Sequence, residues 1–254
     1  MKGICELYKT EEELRKSHIH PKFAVAYYKK TGSRFLRNWS NPNKRLQDAE
    51  THYLLSSKAE EEFSKREKWF SENIFKPYLE ENRKVLNYDE NLLYFTISYL
   101  WRTLVVLLRN KELDNHWGLK IILEAENEWR ELLSNNEYPK KHNRFYLLLT
   151  DRIKHHTLDS NYVDFYFTRV MDFTTVSNEN QTFLAVYAKF NKFIFWSVLK
   201  GGNEDQLVDV KINPIKGKIN IPQQLEEQII LSFFLIGLIK WKIHQNQVRN
   251  SKKR

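Results

Sequence analysis

The chain has 254 residues, 41% hydrophobic and 14% aromatic, with only 7 Gly and 6 Pro, which excludes collagen-like, low-complexity and disordered classes. Its 41 Lys and Arg against 32 Asp and Glu leave a formal charge of +9, a positive field that attracts polyanions without by itself identifying a nucleic-acid binder. The single cysteine, Cys5, excludes an intramolecular disulfide and an all-cysteine metal site, and it fits a reducing, cytoplasmic compartment.

The opening Met1-Lys2-Gly3-Ile4-Cys5-Glu6 lacks the apolar stretch of a secretory signal. From Leu14 to Gln47 nine basic residues occur with no acidic one: Arg15, Lys16, Lys22, Lys29, Lys30, Arg34, Arg37, Lys44 and Arg45. Phe23, Tyr27, Tyr28, Phe35 and Trp39 interleave with them. Such cations contact phosphates and exposed rings stack on unpaired bases, although most of these rings are predicted to be core. The closing basic run Arg249, Lys252, Lys253, Arg254 reads as a solvated tail.

Apolar residues at Ala59, Phe63, Phe70 and Ile74 predict a helix that Pro77 limits. Between about 91 and 137, one stripe (Leu93, Ile97, Leu100, Trp101, Leu104, Leu108) and a second (Trp117, Ile121, Ile122, Ala125, Trp129, Leu132) predict a helical hairpin turning near Asp114-Asn115. After Pro139 the texture changes. Phe145 to Thr150, Val163 to Arg169, Phe183 to Ala188 and Phe193 to Leu199 carry the aromatic and β-branched residues of strands, with a hairpin turn at Phe190-Asn191. Gly201-Gly202 ends the last of these, and a short strand is predicted at Lys218 to Ile221. Pro222 is placed to open a closing helix over about 222–246. The apolar run Ile229 to Ile239 is shorter than the ~20 residues a membrane span needs and reads as a buried helix, or failing that an interfacial or partner-docking one, so no transmembrane segment is expected. The pattern predicts an α+β chain: a module over 1–80, then an α+β domain over 81–254 with a helical hairpin and a mostly antiparallel sheet. The second half shows no phosphate-binding glycine loop and no serine or cysteine nucleophile motif.

The segment Leu14-Arg15-Lys16-Ser17-His18-Ile19-His20-Pro21, followed by Tyr53-Leu54-Leu55-Ser56-Ser57-Lys58-Ala59-Glu60-Glu61-Glu62-Phe63-Ser64, resembles a bacterial branch of the HNH endonuclease superfamily. That branch runs from a Cys-x-x-Cys knuckle to an (Asp/Ser)-His-Ile-x-Pro strand, a Leu-Leu-Cys-x-x-Cys turn, and a helix continuing Phe-Ser-x-x-Glu. Glu60, Phe63, Ser64, Glu67 and Phe70 follow the helix pattern, and Asn41-Pro42-Asn43-Lys44-Arg45 is also similar. The resemblance covers about residues 3–80 and, more weakly, Tyr99-Leu100-Trp101-Arg102. It implies a treble-clef-like (ββα) module. It also implies that His18 is the general base acting on a phosphodiester, and that Glu60 is a ligand of a divalent ion, Mg²⁺ or Mn²⁺. The basic stretch would then hold the substrate, DNA ahead of RNA, and other protein subunits enter as partners. The departures are as specific. Cys5 matches the first knuckle cysteine, but Tyr8, Ser56 and Ala59 stand at the other three positions, so a structural zinc, which needs four such ligands, is expected to be absent. Ser17 occupies a position where active members often carry Asp or His.

Each candidate has a structural reading beside the functional one. Glu60 follows Ser57 by three residues, the spacing of a capping box. His18 alone would be a hydrogen-bonded structural histidine. Glu67 reads as a solvated helix residue paired with Arg66 or Lys68. His20 falls at a variable position, and His155-His156 on a loop. The sequence therefore leaves open a metal-dependent endonuclease, a catalytically inactive HNH-like binding or scaffold subunit of a bacterial phage-defence complex, and an interaction protein using its C-terminal apolar helix.

Overall fold

The computed structural model describes residues 1–38, 41–150 and 160–223. In chain order these form β1 (Lys2–Ile4), β2 (Glu11–His18), α1 (Lys22–Thr31), β3 (Leu36–Asn38), β4 (Asn41–Leu46), β5 (Thr51–Ser56) and α2 (Ser57–Phe70). A π-helical turn, Ser71–Phe75, leads into α3 (Lys76–Leu79), β6 (Val85–Asp89), α4 (Glu90–Arg109) and α5 (Leu119–Asn135). There follow β7 (Phe145–Leu149), α6 (Ser160–Arg169), β8 (Asp172–Ser177), β9 (Leu184–Phe190), β10 (Phe193–Lys200), a 3₁₀ turn (Asp205–Val210) and β11 (Lys216–Asn220). Every pairing is antiparallel, in sheets ordered β1-β2-β5, β3-β4, β11-β6 and β7-β10-β9-β8. The chain is α+β, as its sequence pattern predicts.

The organising element is α4. Its apolar residues surround the helix axis, and a helix of that kind has to be buried on all sides. It packs on α2, on α5 and on the four-stranded sheet. By length and composition it could cross a bilayer, but 83% of its most apolar stretch is covered by the rest of the fold, which identifies it as the core helix. Around it lies a ring cluster: Phe70 stacks on Phe95 with centroids 4.0 Å apart, and Phe23, Phe75, Phe190, Phe193 and Phe195 complete it. The larger of two apolar clusters runs from Cys5 to Ile219, and the second gathers Tyr146, Tyr166, Phe167, Tyr187 and Trp196.

Two sequence expectations are corrected. Val163 to Arg169, expected as a strand, lies in α6; its adjacent buried Tyr166 and Phe167, with Val170 just past the helix end, do not alternate as a strand would. The end of α6 is held by Lys189 of β9, fully buried, whose Nζ donates to the carbonyls of Tyr166 (2.8 Å), Val170 and, in the next turn, Asn191 (3.3 Å). Burial pulls the Lys189 ammonium down to about 7. Long-range capping of this sort outweighs the strand propensity of the segment. Pro77 does not end the helical run, because the π-helical turn resets the hydrogen-bond ladder and Pro77 sits in the first turn of α3, where its missing N–H costs nothing. The strand predicted at Lys218 to Ile221 exists as β11 but pairs with β6, outside the large sheet. The helical hairpin, β7, and the β9–β10 hairpin with its turn at Asn191 fall where the sequence places them. The predicted closing helix and the Ile229 to Ile239 run lie outside the described residues, as do His155 and His156.

Candidate functional site

β2, β5 and α2 form a strand–strand–helix unit in which the basic insertion, α1 with the β3–β4 hairpin, connects the two strands. Strict alternation along β2 would bury Leu14 and Lys16 and expose Ser17. A bulge between Arg15 and Lys16 breaks it, leaving Arg15 and Lys16 both exposed, turning Ser17 inwards, and placing His18 at the strand's end. Bulges re-aim side chains in this way.

His18 is 14% exposed, with Nε2 3.9 Å from the Asp48 carboxylate and Nδ1 buried without a partner. Burial holds its pKa below the ordinary 6.5, and Lys22 pushes the same way, whereas the charges of Asp48, Glu60 and Glu67 oppose it. The imidazole is therefore neutral near pH 7, and neither ring nitrogen is consumed by a hydrogen bond. Glu60 and Glu67 of α2 thus lie within electrostatic reach of the end of β2.

Glu60 is not a capping-box residue. The cap of α2 is Ser56, whose Oγ accepts from the Ala59 N–H at 3.5 Å, and the Ser57 hydroxyl accepts instead from Arg15 Nε at 2.8 Å. Glu60 Oε1 is buried with no hydrogen-bond partner, as is Ser17 Oγ. Glu67 is corrected as well: it makes no local pair but an ion-pair contact of 2.7 Å with Arg102, without hydrogen-bond alignment. Arg102 is 3% exposed on α4. It also donates from Nη1 to the His18 carbonyl at 3.1 Å and lies over the Phe63 ring. One guanidinium thus ties the end of β2 to the face of α2. Sequence reading missed this role, although a lone arginine inside an apolar helix is itself a signal, since a buried charge needs a partner. Asp48 was missed too, because nothing local distinguishes it from any loop acid.

His20 is removed from the candidates. It is buried against Tyr99, whose hydroxyl is 2.8 Å from its Nδ1, and burial lowers its pKa to about 3. Of the nine predicted phosphate-binding cations, Arg15, Lys16, Lys22, Lys30, Arg34 and Arg45 are exposed and Lys29 is half-buried. Arg34 and Arg45 lie on the Phe35 ring, 5.1 and 5.4 Å from its centroid. Lys30 pairs with Glu80 at 3.3 Å and Lys29 stands 4.0 Å from Asp48. Arg37 pairs in register with Arg45, and Lys44 lies on β4. Phe23 and Tyr28 belong to the interior, as expected of most of these rings.

At the other end of the unit the four knuckle positions meet. Cys5 is fully buried, its Sγ accepts from the Ser56 N–H at 3.4 Å, and the Cys5–Thr10 turn closes with Lys9 at φ 55°. Ala59 is buried beside them, and the Tyr8 ring lies under Lys58 Nζ at 4.7 Å. One thiol, one phenol, one hydroxyl and one methyl group do not fit a tetrahedral zinc. For the divalent ion the fit is different. Among the described residues no three His, Cys, Asp or Glu side chains cluster as ligands. Mg²⁺, however, keeps several waters and needs only one or two carboxylates, which the unpartnered Glu60 can supply.

No protein-family model, no curated protein and no solved structure matches the chain.

Proposed function

We propose that this chain is an HNH-like nucleic-acid-binding protein whose β2–β5–α2 unit cuts phosphodiester bonds, with His18 as general base. One observation carries the reading: a neutral, partly buried histidine at a strand end, with no hydrogen bond on either ring nitrogen, lies within electrostatic reach of Glu60 on α2, whose Oε1 has no partner. A ring nitrogen of His18 takes the proton of a water that attacks phosphorus while the bond to the leaving oxygen breaks and that oxygen takes a proton from solvent; Lys22, exposed and within electrostatic reach of His18, meets the charge of the phosphate. Arg102 keeps base and carboxylate in register by holding the backbone of one and the neighbour of the other. Glu60 would hold the divalent ion, which when bound supplies charge stabilisation at the phosphate and leaving oxygen. Glu67 is committed to Arg102. The exposed cations of β2 and the insertion make the binding face.

A second reading, a catalytically inactive binding or scaffold subunit, is favoured by Ser17, a poor metal ligand whose side chain is turned into the interior. The experiment separating the two is cleavage of plasmid DNA and of RNA with Mg²⁺ or Mn²⁺. His18→Ala is expected to lower the rate by roughly 10²–10⁴-fold, the contribution of a positioned base, while leaving binding intact. Binding without any cleavage by the unaltered protein would select the scaffold reading.

A further inference from the structure

A second site lies away from His18, where α1, α3, α6 and the β9–β10 turn meet. A cavity of about 340 Å³ opens there, lined by Tyr27, Leu79, Asp164, Arg169, Asn191 and Lys192 among others. Its size falls in the range of small-molecule sites, ~300–1,000 Å³.

The unusual residue is Asn191. Its backbone is fully engaged: its N–H donates to the Tyr28 hydroxyl, and its carbonyl accepts from Lys189 Nζ at 3.3 Å. Those bonds hold the left-handed turn, φ 46°, which a glycine would also adopt. The carboxamide does nothing for the turn. The residue is 1% exposed, yet neither Oδ1 nor Nδ2 has a partner. A buried polar group left bare costs stability, and native proteins keep one where a ligand or water satisfies it. Asp164 Oδ1, in the same lining, is also buried and unpartnered.

We propose that this cavity binds a guanine nucleotide. The unmet groups are one donor, Asn191 Nδ2, and two acceptors, Asn191 Oδ1 and Asp164 Oδ1. Their complement is one acceptor and two donors, which is the Watson–Crick edge of guanine: O6, N1–H and the N2 amino group. Adenine offers a single donor group on that edge, and cytosine and uracil set carbonyl oxygens against the carboxylate. Tyr27 and Leu79 supply an apolar wall for the base. Arg169 supplies the phosphate contact: two of its nitrogens donate to Thr31, which fixes the guanidinium at the cavity, and the fork retains further N–H groups. A free guanosine nucleotide and an unpaired guanine in a strand present the same edge.

The test is thermal-shift and calorimetric titration of the full chain with GMP, IMP, AMP, CMP and inorganic phosphate. GMP is expected to raise the melting temperature more than the others, by mass action on the folded state. IMP, which lacks the N2 amino group, is expected to bind at least about tenfold more weakly, the effect of losing one hydrogen bond to a carboxylate. Asn191→Gly keeps the turn and removes only the bare carboxamide; it should leave the ligand-free melting temperature equal or higher and abolish the GMP shift. Asp164→Ala, which removes the acceptor altogether, should narrow the preference of GMP over IMP. His18→Ala should change none of this, so the site stands or falls independently of cleavage. An equal shift from AMP or CMP, a phosphate shift as large as that of GMP, a GMP response surviving Asn191→Gly, or no response to GMP would each overturn the proposal. Competition of GMP by a guanine-containing single strand assigns the site to a strand; its absence assigns it to the free nucleotide.

Discussion

The β2–β5–α2 unit has two corners built from the same elements, and they treat their polar atoms in opposite ways. At the Cys5 corner the sulfur accepts from Ser56, the Cys5–Thr10 turn closes on itself, and Ser56 caps α2. At the His18 corner Ser17 Oγ, His18 Nδ1 and Glu60 Oε1 are all buried and all without partners. Folding alone would not select the second arrangement, since each bare group costs on the order of 1–3 kcal/mol. The first corner satisfies its own polar atoms and holds the fold, and the second keeps unmet polar capacity.

The largest effect expected from breaking that contrast is at Arg102, which spans the second corner. Arg102→Met strips the charge partner from Glu67 and the donor from the His18 carbonyl. Losing one member of a buried pair costs ~3–5 kcal/mol, read as a drop in the urea midpoint at unchanged slope. Adding Glu67→Gln should recover part of the loss, because the stranded charge is then gone. A loss below ~1 kcal/mol would mean that Arg102 holds nothing together, and the register between base and carboxylate would need another source.

His20 sharpens the contrast from two residues away. It is fully buried and partnered by Tyr99, and burial lowers its pKa from 6.5 to about 3. As pH falls below 6.5 the unfolded chain takes up a proton that the folded chain refuses, so stability is full above 6.5 and declines towards pH 3. The slope approaches ~1.4 kcal/mol per pH unit. His18 adds a smaller decline of the same sign, its pKa being lowered at a half-buried site. Chemical denaturation at stepped pH should show this acid limb, and His20→Gln should flatten most of it. An unchanged limb would move the acid sensitivity to other groups.

How much of this was legible before the structure follows from how local each signal was. The α2 helix, the helical hairpin and the β9–β10 turn were readable because periodicity and turn residues act over a few positions. The α6 helix was not, because Lys189 of a strand closes it from 23 residues beyond Tyr166. His18 and Glu60 were readable as types in a pattern, and the fold puts them at the end of β2 and in the first turn of α2. Their electrostatic setting was not readable, since Asp48 sits on a loop and Arg102 comes from α4, 84 residues after His18. The reading of Glu60 as a cap failed by one residue: Ser56 and Ser57 are both competent caps in sequence, and only the fold commits Ser57 to Arg15.

That one-residue slip supports the finest test of the two corners. Ser56→Ala removes the cap of α2 at the satisfied corner and should cost ~1 kcal/mol, a usual value for such a change. Glu60→Gln, one turn further along the same helix, removes a carboxylate that no hydrogen bond needs. Its cost should stay within ~0.5 kcal/mol, since no hydrogen bond is lost and only a small helix-dipole contribution goes. Metal-dependent cleavage should nevertheless fall, since the ligand is gone. Two variants four residues apart would then separate cleanly: one lowers the denaturation midpoint and spares activity, the other does the reverse. Should Glu60→Gln destabilise as much as Ser56→Ala, the carboxylate is structural, and the reserve at the His18 corner shrinks to the histidine alone.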